Sequence, residues 1–125
     1  AIVDREGHFL RMRRLEPPEN LTWRSFRQGM LVCHQAFFAR RDRAVAYDLR
    51  YRFSADFDWC IRVMKQSQTL HNTRLTLIDY LNEGMTTRNH RASLAERFRI
   101  MCRHYGYVQT ALLHLKFALR LLYKK

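Results

Sequence analysis

The chain is short of cysteine, short of carboxylates, and has no apolar run long enough to cross a bilayer. Its three cysteines, Cys33, Cys60 and Cys102, show no CxxC or other metal-ligand spacing, and an odd number cannot all pair internally. Reduced, buried thiols of a cytoplasmic protein are the expectation. Asp and Glu total 11 against 23 Lys and Arg, a formal net charge of +12, with a pI of about 10.5. The longest apolar stretch, 107–123, is interrupted by His114, Lys116 and Arg120, whereas a spanning helix needs roughly 20 mainly apolar residues. The opening Ala1-Ile2-Val3-Asp4-Arg5-Glu6 lacks the apolar core of a signal peptide. There is no internal repeat, zinc-finger spacing, RNP-like strand or helix-turn-helix pattern.

What remains is a chain of 125 residues, 47% hydrophobic and 27% charged, which fits one globular domain. Nineteen of its 23 cations are arginine, the side chain suited to bidentate contact with phosphate or carboxylate. An anionic partner is therefore expected: a phosphorylated substrate, an acidic membrane surface or nucleic acid. The arginines are scattered along the chain rather than gathered on a recognisable motif, which makes nucleic acid the weakest of the three.

Short extended segments are expected over 1–3 and 8–13, around a turn at Asp4-Arg5-Glu6-Gly7. Pro17-Pro18 breaks regular structure. A short helix over 22–28 follows, capped by Thr22 and stopped by Gly29. The apolar segment 30–39 reads as a buried strand, and 40–52 as a basic connector. Ser54 is a natural cap for the next helix, with Asp56 and Asp58 in its first turn and Phe57, Cys60, Ile61 and Met64 on one face. An alternating strand is expected over 75–81 and a polar loop over 82–89. Ser93-Leu94-Ala95-Glu96 has the form of a capping box opening a helix that Gly106 closes. In the last helix Val108, Ala111, Leu112, Leu115, Leu119 and Leu122 form the main stripe, with Leu113, Phe117 and Leu121 off it.

Two constellations bear on chemistry. Asp56-Phe57-Asp58 has the D-x-D form that places two hard oxygen ligands on Mg²⁺ or Mn²⁺. Here it opens a helix, where two carboxylates also stabilise the amino terminus and Asp58 can pair with Arg62 at i,i+4. Cys33-His34-Gln35 puts an imidazole in an apolar segment. A buried, hydrogen-bonded core histidine is the common outcome there, and on the strand reading neighbours face opposite ways, so His34 is not expected to activate Cys33.

Arg52-Phe53-Ser54-Ala55-Asp56-Phe57-Asp58-Trp59-Cys60-Ile61-Arg62 resembles the catalytic element of family 2 glycosyltransferases, which have the A-type (GT-A) fold. The segment Gly29-Met30-Leu31-Val32-Cys33-His34-Gln35-Ala36-Phe37-Phe38 resembles the family's strand before the acceptor-side helix. Asp79-Tyr80-Leu81-Asn82-Glu83-Gly84-Met85-Thr86 resembles its last strand and flexible loop. The resemblance runs through nearly the whole chain in order, with Ala55 standing where the family often has an acidic residue. It implies an α/β fold, the carboxy-terminal part of a GT-A domain: a short mixed sheet flanked by helices, with two helices at the end. Residues 1–106 would be the acceptor-side half, and 107–125 an amphipathic helix. The donor-binding half and its metal-binding D-x-D have no counterpart here, so the isolated chain should be inactive and bind no metal. Mg or Mn is expected in the full-length parent.

Carried over position by position, Asp56 matches the catalytic base of an inverting enzyme. His34, Gln35, Asp58, Trp59 and Arg62 would line the acceptor side or support it. Gly84, Thr86 and His90 would belong to the flexible loop. The implied partners are a nucleotide-sugar donor and a saccharide or lipid-linked acceptor. The expected location is cytoplasmic, and the last helix is expected to make a peripheral contact, inserting partly into the inner face of a membrane. Leu113, Phe117 and Leu121 leave more apolar surface than one packing face needs, and Lys116, Arg120, Lys124 and Lys125 suit anionic lipid. The competing function class is a small basic binding module for nucleic acid or acidic membrane, without catalysis.

Overall fold

A carboxylate organises the first turn. Asp4 Oδ1 accepts the amide hydrogens of Glu6 at 3.0 Å and His8 at 2.8 Å, and Gly7, at φ +86°, takes the left-handed position the turn requires. The turn joins β1 (Ile2–Val3) to β2 (Phe9–Arg11) as an antiparallel pair. On the other side of β1, β3 (Tyr80–Leu81) adds in parallel, Ile2 opposite Tyr80 and Val3 opposite Leu81. The resulting order is β2-β1-β3. This computed structural model describes residues 1–81 and 89–122, omitting the side chains of His90, Leu121 and Leu122.

The core lies away from the sheet. Helix α1 (Ala55–Gln66) buries Phe57, Cys60, Ile61 and Met64 at the i, i+3, i+4, i+7 spacing of one face. They meet Phe26 from the 3₁₀ turn Trp23–Gln28, Met30, Leu31, and Ile100 and Met101 of helix α2 (His90–Tyr105). Phe26 and Phe57 stack with ring centroids 5.7 Å apart. Gly106, at φ +88°, ends α2 and donates its amide hydrogen to Cys102 O at 2.9 Å. Helix α3 (Tyr107–Leu122) then turns back along α2. A small mixed sheet with helices makes the chain a mixed α/β protein.

Four expectations are corrected. Residues 30–39 form no strand: Met30 and Leu31 enter the core, a 3₁₀ turn covers His34–Ala36, and Phe38 is exposed. A run of apolar residues makes a strand only beside a partner to accept its hydrogen bonds. Of the 75–81 strand only Tyr80–Leu81 pairs, because β1 offers just two residues. Ser93 and Glu96 do not open α2, which begins at His90 after Asn89; both are buried inside it. Finally, α3 turns Thr110, Leu113, His114 and Phe117 inward, so the stripe headed by Val108 and Leu112 faces out. Of the polar loop expected over 82–89, residues 82–88, with Gly84 and Thr86, lie outside the described residues.

Candidate functional site

Glu96 builds the amino end of α1 from a distance. Its carboxylate accepts three successive amide hydrogens, from Arg52 at 2.9 Å, Phe53 at 2.7 Å and Ser54 at 3.0 Å. These bonds hold the Glu96 carboxyl below its ordinary range, against the upward push of burial, which is the largest single influence on it. Ser54 precedes the helix as expected, yet its hydroxyl turns to Ser93 rather than capping. The capping-box residues of α2 thus serve α1.

Helical geometry then separates the two aspartates. Two residues at about 100° each put Asp56 and Asp58 on nearly opposite sides of α1. Asp58 is fully buried: Oδ2 accepts from Arg62 Nε at 2.6 Å, and Oδ1 from His104 Nε2 at 2.8 Å. Asp56 faces the surface. Its Oδ2 lies 3.0 Å from His34 Nδ1, with the two side chains 28% and 42% exposed, and its Oδ1 accepts the Phe57 amide hydrogen at 2.8 Å. Arg97 reaches the same region from α2, its guanidinium 5.1 Å from the Phe57 ring centroid. Burial pulls the Arg97 charge down, the Asp56 carboxylate opposes that, and Arg13 reinforces it. Its Nε is buried with no hydrogen-bond partner among the described residues.

An aromatic group completes this face. Trp59 stacks on Tyr47 at 5.3 Å, receives the edge of Phe37 at 5.7 Å, and donates Nε1–H to Val45 O at 2.7 Å. Arg62 Nη2 donates to Ala46 O at 2.9 Å. Trp59 and Arg62 therefore fasten the connector that carries the exposed ring of Tyr47, whose phenol is raised by burial first and then by the charges of Cys60 and Asp56. Gln35 is exposed, its side-chain oxygen 3.7 Å from Cys33 Sγ. His90 begins α2. Cys60 is no nucleophile: burial pushes its thiol up to about 12. Cys33 and Cys102 are half-buried, a departure from the expected buried thiols.

Of the residues singled out in the sequence, the fold pairs His34 with Asp56, and Trp59 lies three residues on along α1. Asp58 is turned inward with Arg62 as its partner. Tyr47, Arg97 and His104 were missed. Only Tyr47, an aromatic in a basic connector, carried any local signal.

The donor set does not suit a divalent ion. The two carboxylates of the D-x-D do not converge on one point: Asp58 is spent on Arg62 and His104 inside the protein and Asp56 faces away from it. Asp4, Glu6 and His8 cluster at the surface, where Asp4 already serves the turn through both oxygens. A cavity of about 810 Å³ lies between the 12–21 and 67–78 segments; Cys33, Ala36 and Phe37 reach it, while Asp56 and His34 do not line it. No family model, curated protein or solved structure matches the chain.

The buried network has a defined proton arrangement. His104 Nε2 faces Asp58 and so carries the hydrogen, leaving Nδ1 to accept from Lys65 Nζ at 3.0 Å. Protonating Nδ1 would set two positive groups face to face. Burial first, then Lys65 and Arg103, lower the His104 pKa against the pull of Asp58. A lowered histidine binds fewer protons folded than unfolded. Its stabilisation is therefore full above the unfolded value of about 6.5 and is lost as pH falls below it. An NMR titration should place the His104 midpoint below that value, and Lys65→Met should raise it. A Lys65→Met midpoint equal to or below that of the parent chain would refute the arrangement.

Proposed function

We propose that the chain is the acceptor-side part of an inverting glycosyltransferase of the A-type fold, acting on a nucleotide-sugar donor and a saccharide or lipid-linked acceptor. The observation that carries this reading is the division of labour at the start of α1: one carboxylate locked inside, the other, Asp56, accessible and oriented by His34. The small mixed sheet and the closing helix pair fit a mixed α/β fold of a general kind.

In this proposal the acceptor hydroxyl docks against Asp56. Its oxygen attacks the anomeric carbon, its proton passes to Asp56 Oδ, and the bond to the nucleoside diphosphate breaks with the electron pair leaving on the diphosphate. A carboxylate is a weak base, but it is ionised at neutral pH and takes the proton late, as the attacking hydroxyl acidifies. Placement contributes more than basicity. His34 holds the Asp56 carboxylate in one rotamer, and Arg97 supplies positive charge beside it. The exposed Tyr47 ring offers the flat apolar surface on which the C–H face of a sugar packs.

A transfer assay on the product of the whole reading frame tests this. The expected result is sugar transfer with inversion at the anomeric carbon, and none from the 125 residues alone. The competing class rests on the +12 charge. It is favoured instead if the whole product consumes no nucleotide sugar and binds nucleic acid with a steep salt dependence.

A further inference from the structure

We infer that the outward face of α3 is a docking surface for an anionic lipid bilayer, with the helix lying in the plane of the interface. This inference is independent of the glycosyl-transfer reading. Val108, Leu112, Leu115 and Leu119 are 72%, 62%, 58% and 44% exposed. At about 100° per residue they fall within about 60° of one another, so they form one continuous apolar strip along the helix. The opposite face is already satisfied: Leu113 packs on the core, and His114 meets the Phe98 ring at 4.9 Å. The strip is thus unused by packing among the described residues. Tyr107, also exposed, flanks it with an aromatic ring of the kind that settles at headgroup level.

Charge selects the occupant. From residue 97 to the end the sequence holds seven Lys or Arg and no Asp or Glu. Lys116 and Arg120 are exposed and lie along one border of the strip. An apolar stripe bordered by cations matches a surface with an acyl interior and anionic headgroups. A second copy of the chain fits less well, since stacking two such faces brings like charges together on a molecule of net +12. Among the described residues no helix is long and apolar enough to cross a membrane, and α3, with 16 residues, would be only about 24 Å long. An in-plane position follows.

Co-sedimentation of the chain with phosphatidylcholine vesicles, with or without about 30% phosphatidylglycerol, tests this at low and moderate salt. The expected result is at least about tenfold stronger partitioning into the anionic vesicles. Because any chain of this charge is drawn to anionic lipid, the decisive variant is Leu112→Ser with Leu115→Ser, which keeps the charge and alters only exposed side chains. It should bind anionic vesicles about tenfold or more weakly while keeping its circular dichroism and urea midpoint. Undiminished binding of that variant would overturn the inference, as would no binding of the parent chain at low salt. A dimer in sedimentation velocity that the serine pair dissolves and vesicles leave intact would also overturn it, assigning the face to a second copy.

Discussion

Asp56→Asn, made in the product of the whole reading frame, is expected to lower kcat by about 10²–10⁴-fold with donor binding unchanged. Asparagine preserves shape and can still accept the Phe57 amide hydrogen, so the start of α1 is kept. It cannot take a proton from a sugar hydroxyl. The effect on folding should be small, because Asp56 is partly exposed and contributes through the helix dipole, about 0.3–1 kcal/mol. Kinetics with saturating donor, beside an equilibrium measurement of donor affinity, separate the two quantities. An Asp56→Asn protein with unimpaired turnover would remove Asp56 from the reaction.

Asp58→Ala should do the reverse. Asp58 is fully buried and holds Arg62 and His104 together. Removing it strands a guanidinium in a half-buried site and leaves the His104 Nε2–H without its acceptor. Breaking a buried ionic contact from one side costs about 3–5 kcal/mol, most of it the penalty of the uncompensated partner rather than the net worth of the pair. Against a total stability of about 5–15 kcal/mol, that is a large fraction. Urea denaturation should show a lower midpoint at unchanged slope. Asp58→Asn, which keeps an acceptor for His104, should lose less. A loss under about 1 kcal/mol in Asp58→Ala would show that the network does not hold α1 to α2. The expected outcomes make two aspartates a residue apart differ in kind, one kinetic and one structural.

That difference was only half legible in the amino-acid sequence. The helix over 55–66 could be read because its information is local: acids in the first turn, an apolar period of 3.6, a cation near the end. Gly106 could be read for the same reason. Strands were over-read at 30–39 and 75–81 because apolar alternation does not say where a pairing partner lies, and β1 offers only two residues. Ser93 and Glu96 match a capping box in spacing, yet their partners lie 39 to 44 residues upstream, beyond any local pattern. In α3 both faces are apolar, so periodicity alone could not choose the buried one. At the site, the glycosyltransferase resemblance points to Asp56 and His34. Arg97 and His104 were invisible, since each reaches its place only through the packing of α2 on α1.

The Glu96 clasp also dictates an order of events during synthesis. Residues 52–54, the entry to α1, leave the ribosome more than forty residues ahead of the carboxylate that receives their amide hydrogens. Closing a loop of 42 residues costs roughly 3 kcal/mol of chain entropy. That cost is met only when α2 exists and its apolar face can dock. Until then residues 52–54 lack the acceptors that fix the entry to α1. Assembly of the entry to α1 is therefore expected to be a late step in folding, delayed until the second helix has been made.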